Sequence, residues 1–170
     1  MEIYVYAGWI DTGEPMLVGM LRSSVIRGKE HFSFNYAEEW LASKYIYQID
    51  PALQLYVGEQ HSGDDRNFKV FLDSCPDRWG RLLMQRREAV IARHEKRRAN
   101  KLFETDYLLG VHDSFRMGAL RFRTSHDAPF LDENEDLDLA APAMTSLTEL
   151  QQAANGVEDK PEFDNPDYLK

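Results

Sequence analysis

Residues 31–36 read HFSFNY, and this stretch decides the fold class. Its two phenylalanines and its tyrosine fall on one face of an extended chain, whereas the side chains between them are polar. A period of two is typical of a β-strand with one buried face. Two more strand candidates precede it, at Met1–Trp9 and Leu17–Ile26, and turn-forming residues separate all three. The sequence therefore predicts an antiparallel β-meander.

The longest predicted helix runs from Asp77 to about Arg98. Ser74 is expected to be its N-cap, and Pro76 suits its first turn. Apolar side chains recur along this segment at helical spacing, which predicts a single apolar stripe. The stripe consists of Trp79, Leu82, Leu83, Ala89 and Val90. We expect the helix to pack with the sheet, so that the fold class is α+β.

The other predicted elements are short. They are two helices (Ala37–Lys44, and Asp106–Leu109 with Thr105 as N-cap), a strand (Arg116–Thr124), an extended segment (Pro51–Val57) and a polar surface loop (Glu59–Asn67). These elements complete the α+β prediction for residues 1–124.

Length and composition restrict the class of protein. A chain of 170 residues with 43% hydrophobic content can form one domain with a real core, which excludes wholesale disorder. Its one cysteine, Cys75, permits no internal disulfide. The N-terminus lacks a signal-peptide pattern, and no segment approaches the roughly 20 apolar residues that span a bilayer. We expect a cytoplasmic protein with no membrane partner.

Charge is distributed unevenly along the chain. The formal net charge of -9 argues weakly against nucleic acid as the main ligand. Residues 77–101 nevertheless carry 9 lysines and arginines against 3 acids, whereas residues 125–170 carry 12 acids and 2 basic residues. We interpret residues 1–124 as a folded subdomain. Residues 125–170 are interpreted as an acidic linker with one short helix at Ser146–Glu149.

The usual sequence motifs of catalysis are missing. The chain has no glycine-rich phosphate loop, no HExxH and no GxSxG. Its five histidines are scattered and do not pair at metal-ligand spacing. Cys75 fits a small, half-buried residue better than a nucleophile, because no histidine is near it in sequence. We therefore assign no catalytic, cofactor-binding or metal-binding residue to this chain.

Four blocks, in the same order over residues 1 to about 124, resemble the N-terminal region of the HipA-like serine/threonine kinases. That family supplies the toxins of type II toxin–antitoxin pairs. The blocks are Gly19-Met20-Leu21; Phe32-Ser33-Phe34-Asn35-Tyr36 with Trp40-Leu41-Ala42-Ser43; Val70 to Asp77; and Asp106 to Asp113 with Met117-Gly118-Ala119-Leu120.

The resemblance implies an accessory domain that packs on a kinase core and contacts a helix-turn-helix antitoxin. DNA would then be contacted only indirectly. The family's phosphate loop, catalytic residues and metal-binding aspartate follow this region, so ATP and Mg²⁺ are implied only for a core that this chain lacks. Residues 166–170 read like the opening of a further element, and we expect the chain to stop before that core.

Two other functions stay open. The first is a free-standing regulatory subunit that acts on a separate kinase core. The second is a nucleic-acid-binding module that uses the basic segment 77–101. The residues that we would test first as partner contacts are Arg78, Trp79, Arg81, Arg116 and Met117.

Overall fold

A computed structural model describes residues 1–9, 15–63, 65–113 and 116–131 of the chain. It has an α+β fold in which the order of the antiparallel strands is β4-β3-β2-β1-β5, which confirms the predicted class. The strands are β1 (Glu2–Ala7), β2 (Met16–Ile26), β3 (Lys29–Tyr36), β4 (Gln60–His61) and β5 (Leu120–Arg123). The helices are α1 (Glu38–Ala42), α2 (Lys69–Asp73), α3 (Arg78–His94) and α4 (Glu104–Leu109).

The predicted meander is present. Strands β2 and β3 form a hairpin whose two turn residues, Arg27 and Gly28, both have positive φ (52° and 76°), as a tight hairpin turn requires. Gly19 in β2 lies so close to β3 that a Cβ there would stand 2.3 Å from the carbonyl oxygen of Asn35. Strand β5 pairs with the other side of β1, opposite β2. A distant part of the chain thus completes the sheet.

The core lies on one face of the sheet. Phe34 and Tyr36 of β3 are buried as the alternating pattern predicts, and their rings meet edge to face at 5.0 Å. Phe71 of α2 packs against Phe34 at 5.5 Å and against Phe122 of β5 at 6.3 Å. Trp40 of α1 is fully buried. The short helices therefore cover the sheet with aromatic rings.

The long helix differs from its prediction at both ends. Its N-cap is Asp77, whose carboxylate accepts a hydrogen bond from the Gly80 N–H at 2.8 Å. Ser74, predicted as the cap, ends α2 instead, and its hydroxyl donates to the Val70 carbonyl. Helix α3 ends at His94, four residues before the predicted end, and Lys96 adopts a left-handed φ of 54°.

Several short elements also differ from the predictions. Pro51–Val57 consists of turns and bends and is not extended, and the predicted loop Glu59–Asn67 contains strand β4. Helix α2 was not predicted. Thr105 does not cap α4, because that helix starts at Glu104, two residues before the predicted start, and Asp106 accepts from the Phe103 N–H at 2.7 Å. The last strand is confined to Leu120–Arg123.

Part of the predicted linker belongs to the folded unit. Phe130 and Leu131 are buried, and the Phe130 ring meets Tyr6 edge to face at 5.2 Å. The guanidinium of Arg123 lies 3.7 Å from the centroid of the Phe130 ring. The predicted helix at Ser146–Glu149 lies outside the described residues.

Candidate interaction surfaces

An apolar depression of ≈ 640 Å³, here called the groove, opens on the surface of the sheet domain. Apolar and aromatic side chains form most of its lining, among them Trp9, Tyr47, Ile49, Val70, Met117 and Leu120. Three of these side chains are large and well exposed: Met117 at 78%, Tyr47 at 65% and Trp9 at 45%. Single exposed apolar side chains are ordinary, but several around one concave surface are typical of a contact site.

Buried Trp40 holds the aromatic rim of the groove in place. Its ring meets Trp9 edge to face at 6.1 Å. Its indole N–H donates a hydrogen bond of 3.2 Å to the carbonyl of Tyr47. Trp40 thus contacts the ring of Trp9 and fixes the backbone of Tyr47 at the rim.

Arg116 fixes another wall of the groove. Its side chain is fully buried and donates to the carbonyls of Ser74 at 2.9 Å and Val111 at 2.7 Å. The carboxylate of Asp113 accepts from its Nε at 3.0 Å. Burial lowers the pKa of Arg116, and the charge of Asp113 opposes that effect. Arg116 is thus a structural residue that joins the end of α2 to the segment that carries Met117.

Two glycines shape the backbone beside Met117. Gly118 adopts a φ of 85°, which favours glycine over residues that have a Cβ. Gly8 donates from its N–H to the Ala119 carbonyl at 2.8 Å, and a Cβ at Gly8 would lie 2.9 Å from the same oxygen. The turn after β1 therefore packs tightly against the segment that precedes β5.

The polar groups of the groove are few. Asp73 and Ser74, at the end of α2, contribute to its lining, and Ser74 is buried. A mostly apolar surface with a single carboxylate favours an apolar protein segment over a phosphate or another anion. The groove therefore offers an apolar contact surface with few polar groups.

Helix α3 contacts α4 through polar side chains. Arg81 donates two hydrogen bonds to the Glu104 carboxylate, at 2.9 and 2.7 Å, and its guanidinium lies 4.5 Å from the Tyr107 ring centroid. The Glu104 carboxylate raises the pKa of Arg81. Gln85 donates to the Tyr107 hydroxyl at 2.7 Å. Arg81, predicted as a partner contact, thus holds two helices of this domain together.

The predicted apolar stripe of α3 is not part of the core. Trp79 is 44% exposed, and Leu83 and Val90 are exposed as well. Among the residues of α3, all of which are described, Ala92 is the one that is buried. Arg78, the other predicted contact at the start of this helix, is also exposed. Helix α3 thus has one face toward the domain and an apolar face toward solvent.

Some of the cationic side chains in residues 77–101 bind groups of the same chain. Arg97 pairs with Glu88 at 2.5 Å and with Glu95 at 2.6 Å, and the Glu88 carboxylate raises its pKa. Lys101 donates to the Gly28 carbonyl at 3.4 Å and lies over the ring of Phe103. Within the described part of the chain, Arg78, Arg93, Lys96 and Arg98 have no ion pair. The basic segment therefore presents fewer free cations than its sequence indicates.

Cys75 has the properties of a packing residue. Burial raises the pKa of its thiol to about 12, although the nearby Arg81 acts in the opposite direction. Its Sγ donates to the Phe71 carbonyl at 3.3 Å. A thiol that stays protonated at neutral pH is a poor nucleophile, so we assign it no chemistry.

Residues 1–9, 15–63, 65–113 and 116–131 contain no candidate metal site and no candidate membrane-spanning helix. Over these ranges, no group of three histidine, cysteine or carboxylate side chains has the geometry of a metal site. Within the same ranges, no helix has the length and apolarity needed to cross a bilayer.

Most residues that line the groove are not among the partner contacts predicted from the sequence. Met117 was predicted as a contact, but Trp9 had been assigned to a strand and Tyr47 to no element. Both lie in irregular segments, where periodicity gives no signal. Their aromatic character beside turns was the one available hint.

No protein-family model matches the chain, and no curated protein matches it.

Proposed function

We propose that this chain is the N-terminal accessory domain of a HipA-like serine/threonine kinase of a toxin–antitoxin system. In this proposal the groove packs on the kinase core, the domain also contacts a DNA-binding antitoxin, and phosphoryl transfer is carried out by the core. A cytoplasmic location belongs to the same proposal.

The exposed groove carries this proposal. Trp9, Tyr47 and Met117 project around a concave apolar surface whose walls are held by Trp40 and Arg116. Aromatic and methionine side chains are common at the centres of protein interfaces. Such a surface is suited to an apolar patch on another protein.

The sequence blocks that resemble the HipA-like family support the proposal by their positions in the fold. Gly19 packs β2 against β3, and Trp40 supports the groove from the core. The block at 70–77 forms α2 and the cap of α3, and Met117 stands on the groove wall. Seven of the resembling residues line the groove, namely Val70, Asp73, Ser74 and Met117 to Leu120.

A titration tests the proposal directly. The chain is titrated calorimetrically with a purified HipA-like kinase core encoded in the same genome, downstream in the same frame or in a neighbouring one. Met117→Asp is expected to weaken binding by about 10-fold or more, because it places a charge in an apolar contact. Ile26→Asp is the matched control, since Ile26 is 56% exposed and lies outside the groove.

The outcomes separate the alternatives. Equal losses in the two variants, or no binding to any such core, would contradict the proposal. Binding to a core from a separate neighbouring gene would instead favour the free-standing regulatory subunit.

A nucleic-acid-binding function is a second candidate. It is favoured by the cations of Arg78, Arg93, Lys96 and Arg98, which have no ion pair among the described residues. Binding that depends on phosphate contacts weakens steeply with salt. A titration of duplex DNA at low and moderate ionic strength tests this candidate, and the absence of salt-sensitive binding would exclude it.

A further inference from the structure

Helix α3 has an apolar face that is turned away from its own domain. Arg81, Gln85 and Ala92 mark the inner face, by their bonds to α4 or by their burial. At about 100° per residue, Trp79, Leu83 and Val90 lie roughly opposite that face. The three exposed side chains form one line about 16 Å long, which is about three turns of a helix. We call this line the outer stripe.

Cationic side chains border the outer stripe. By the same helical geometry, Arg93 falls on one side of it and Arg87 on the other. Arg93 is exposed and has no ion pair in the part of the chain that is described. The side chain of Arg87 is partly exposed. A row of apolar residues between two cations is complementary to an apolar row between two carboxylates.

From this arrangement we propose that the outer stripe binds an acidic amphipathic helix of a partner protein. The partner presents an apolar row to Trp79, Leu83 and Val90, and flanking carboxylates pair with Arg87 and Arg93. This surface is separate from the groove, and the proposal holds whichever protein occupies the groove.

The same features disfavour the other possible occupants. Nucleic acid gains little from a central line of Trp79, Leu83 and Val90, because phosphate contacts need cations and not aliphatic groups. A membrane surface needs a wide apolar face, whereas the outer stripe is one residue wide. A narrow apolar row with charged edges is the pattern by which helices recognise each other.

A pair of synthetic peptides tests the proposal. Both are 18-residue helical peptides with the same leucine row, flanked by glutamates in one and by lysines in the other. Fluorescence anisotropy measures their binding to the full chain. We expect the glutamate peptide to bind at least about 10-fold more tightly than the lysine peptide.

Two variants on α3 and two control variants elsewhere locate the binding. Leu83→Asp is expected to weaken binding of the glutamate peptide by about 10-fold or more, while Val25→Asp, at a site of similar exposure on the β2–β3 hairpin, leaves it unchanged. Arg93→Glu is expected to reduce the preference for glutamate over lysine. Met117→Asp, in the groove, leaves peptide binding unchanged, so this result is independent of the kinase-core experiment.

Several results would overturn the proposal. They are equal affinity for the two peptides, no binding of either, or an unchanged affinity in Leu83→Asp. Tighter binding to a random-sequence DNA duplex or to phosphatidylserine vesicles would assign the outer stripe to those ligands instead. Circular dichroism of each variant confirms that a loss of binding is not a loss of folding.

Discussion

Strand β3 and helix α3 both carry apolar side chains at the period of their secondary structure, but their surroundings differ. In β3, Phe34 and Tyr36 are buried in the core, where Phe34 packs against Phe71 of α2. In α3, Trp79 and Leu83 remain exposed, although they are as apolar and as regularly spaced. Periodicity therefore identifies which residues share a face. What covers that face depends on the rest of the fold, or on a partner.

The largest expected difference between β3 and α3 is in the stability cost of removing a side chain. Phe34→Ala is expected to lower the free energy of unfolding by about 3–5 kcal/mol, because Phe34 is fully buried among aromatic rings. Trp79→Ala removes a larger side chain but is expected to cost less than about 1 kcal/mol, since Trp79 is nearly half exposed. Urea denaturation of the two variants measures both values.

The same two measurements can contradict the exposed position of Trp79. A cost for Trp79→Ala as large as that for Phe34→Ala would place Trp79 in the core and remove the outer stripe. Trp9→Ala, at another exposed tryptophan, is the matched control for loss of an indole ring.

Two arginines extend the comparison to charged residues. Arg116→Ala is expected to cost about 3 kcal/mol, because it removes a fully buried guanidinium that pairs with the buried Asp113 carboxylate and donates to two carbonyls. Arg81→Ala is expected to cost about 1 kcal/mol, because its pair with Glu104 is partly exposed. Thermal unfolding ranks the two variants, and the reverse ranking would contradict the positions assigned to them.

At neutral pH, Cys75→Ala is expected to cost about 1 kcal/mol of stability, as little as Arg81→Ala. Burial raises the thiol pKa from its ordinary 9.0 to about 12, so the folded protein keeps a proton that the unfolded chain releases. The contribution of the protonated thiol to the free energy of unfolding is complete below pH 9, and it is lost as the pH rises through 12. Alkylation by iodoacetamide at pH 9 should be about 100-fold slower in the native protein than in denaturant. Equal rates would show that the thiol is exposed.

The sheet was largely predictable because its signals are local. The alternation at Phe32, Phe34 and Tyr36 and the turn at Arg27-Gly28 are contained within one hairpin, and a hairpin forms between sequence neighbours. Helix α2 was missed because five residues are too few for a helical period to appear. Ser74 was mistaken for a cap because Ser74 and Asp77 both suit that position. The geometry of the helix start decided between them.

The groove was harder to predict because it depends on long-range contacts. Trp9 meets Trp40, and Arg116 bonds to Ser74, across 31 and 42 positions of sequence. A buried arginine is also contrary to the usual expectation that charged residues lie at the surface. The sequence therefore indicated Arg116 and Met117 as partner contacts but gave no means of separating their roles.

We propose that this domain binds another protein through the groove. Hydrogen–deuterium exchange of the chain, alone and with the proposed kinase core, is the decisive test of this claim. We expect slower exchange in the segments around Trp9, Tyr47 and Met117 when the core is bound, and unchanged exchange at the β2–β3 turn. Protection confined to other segments, or no protection at all, would contradict the claim.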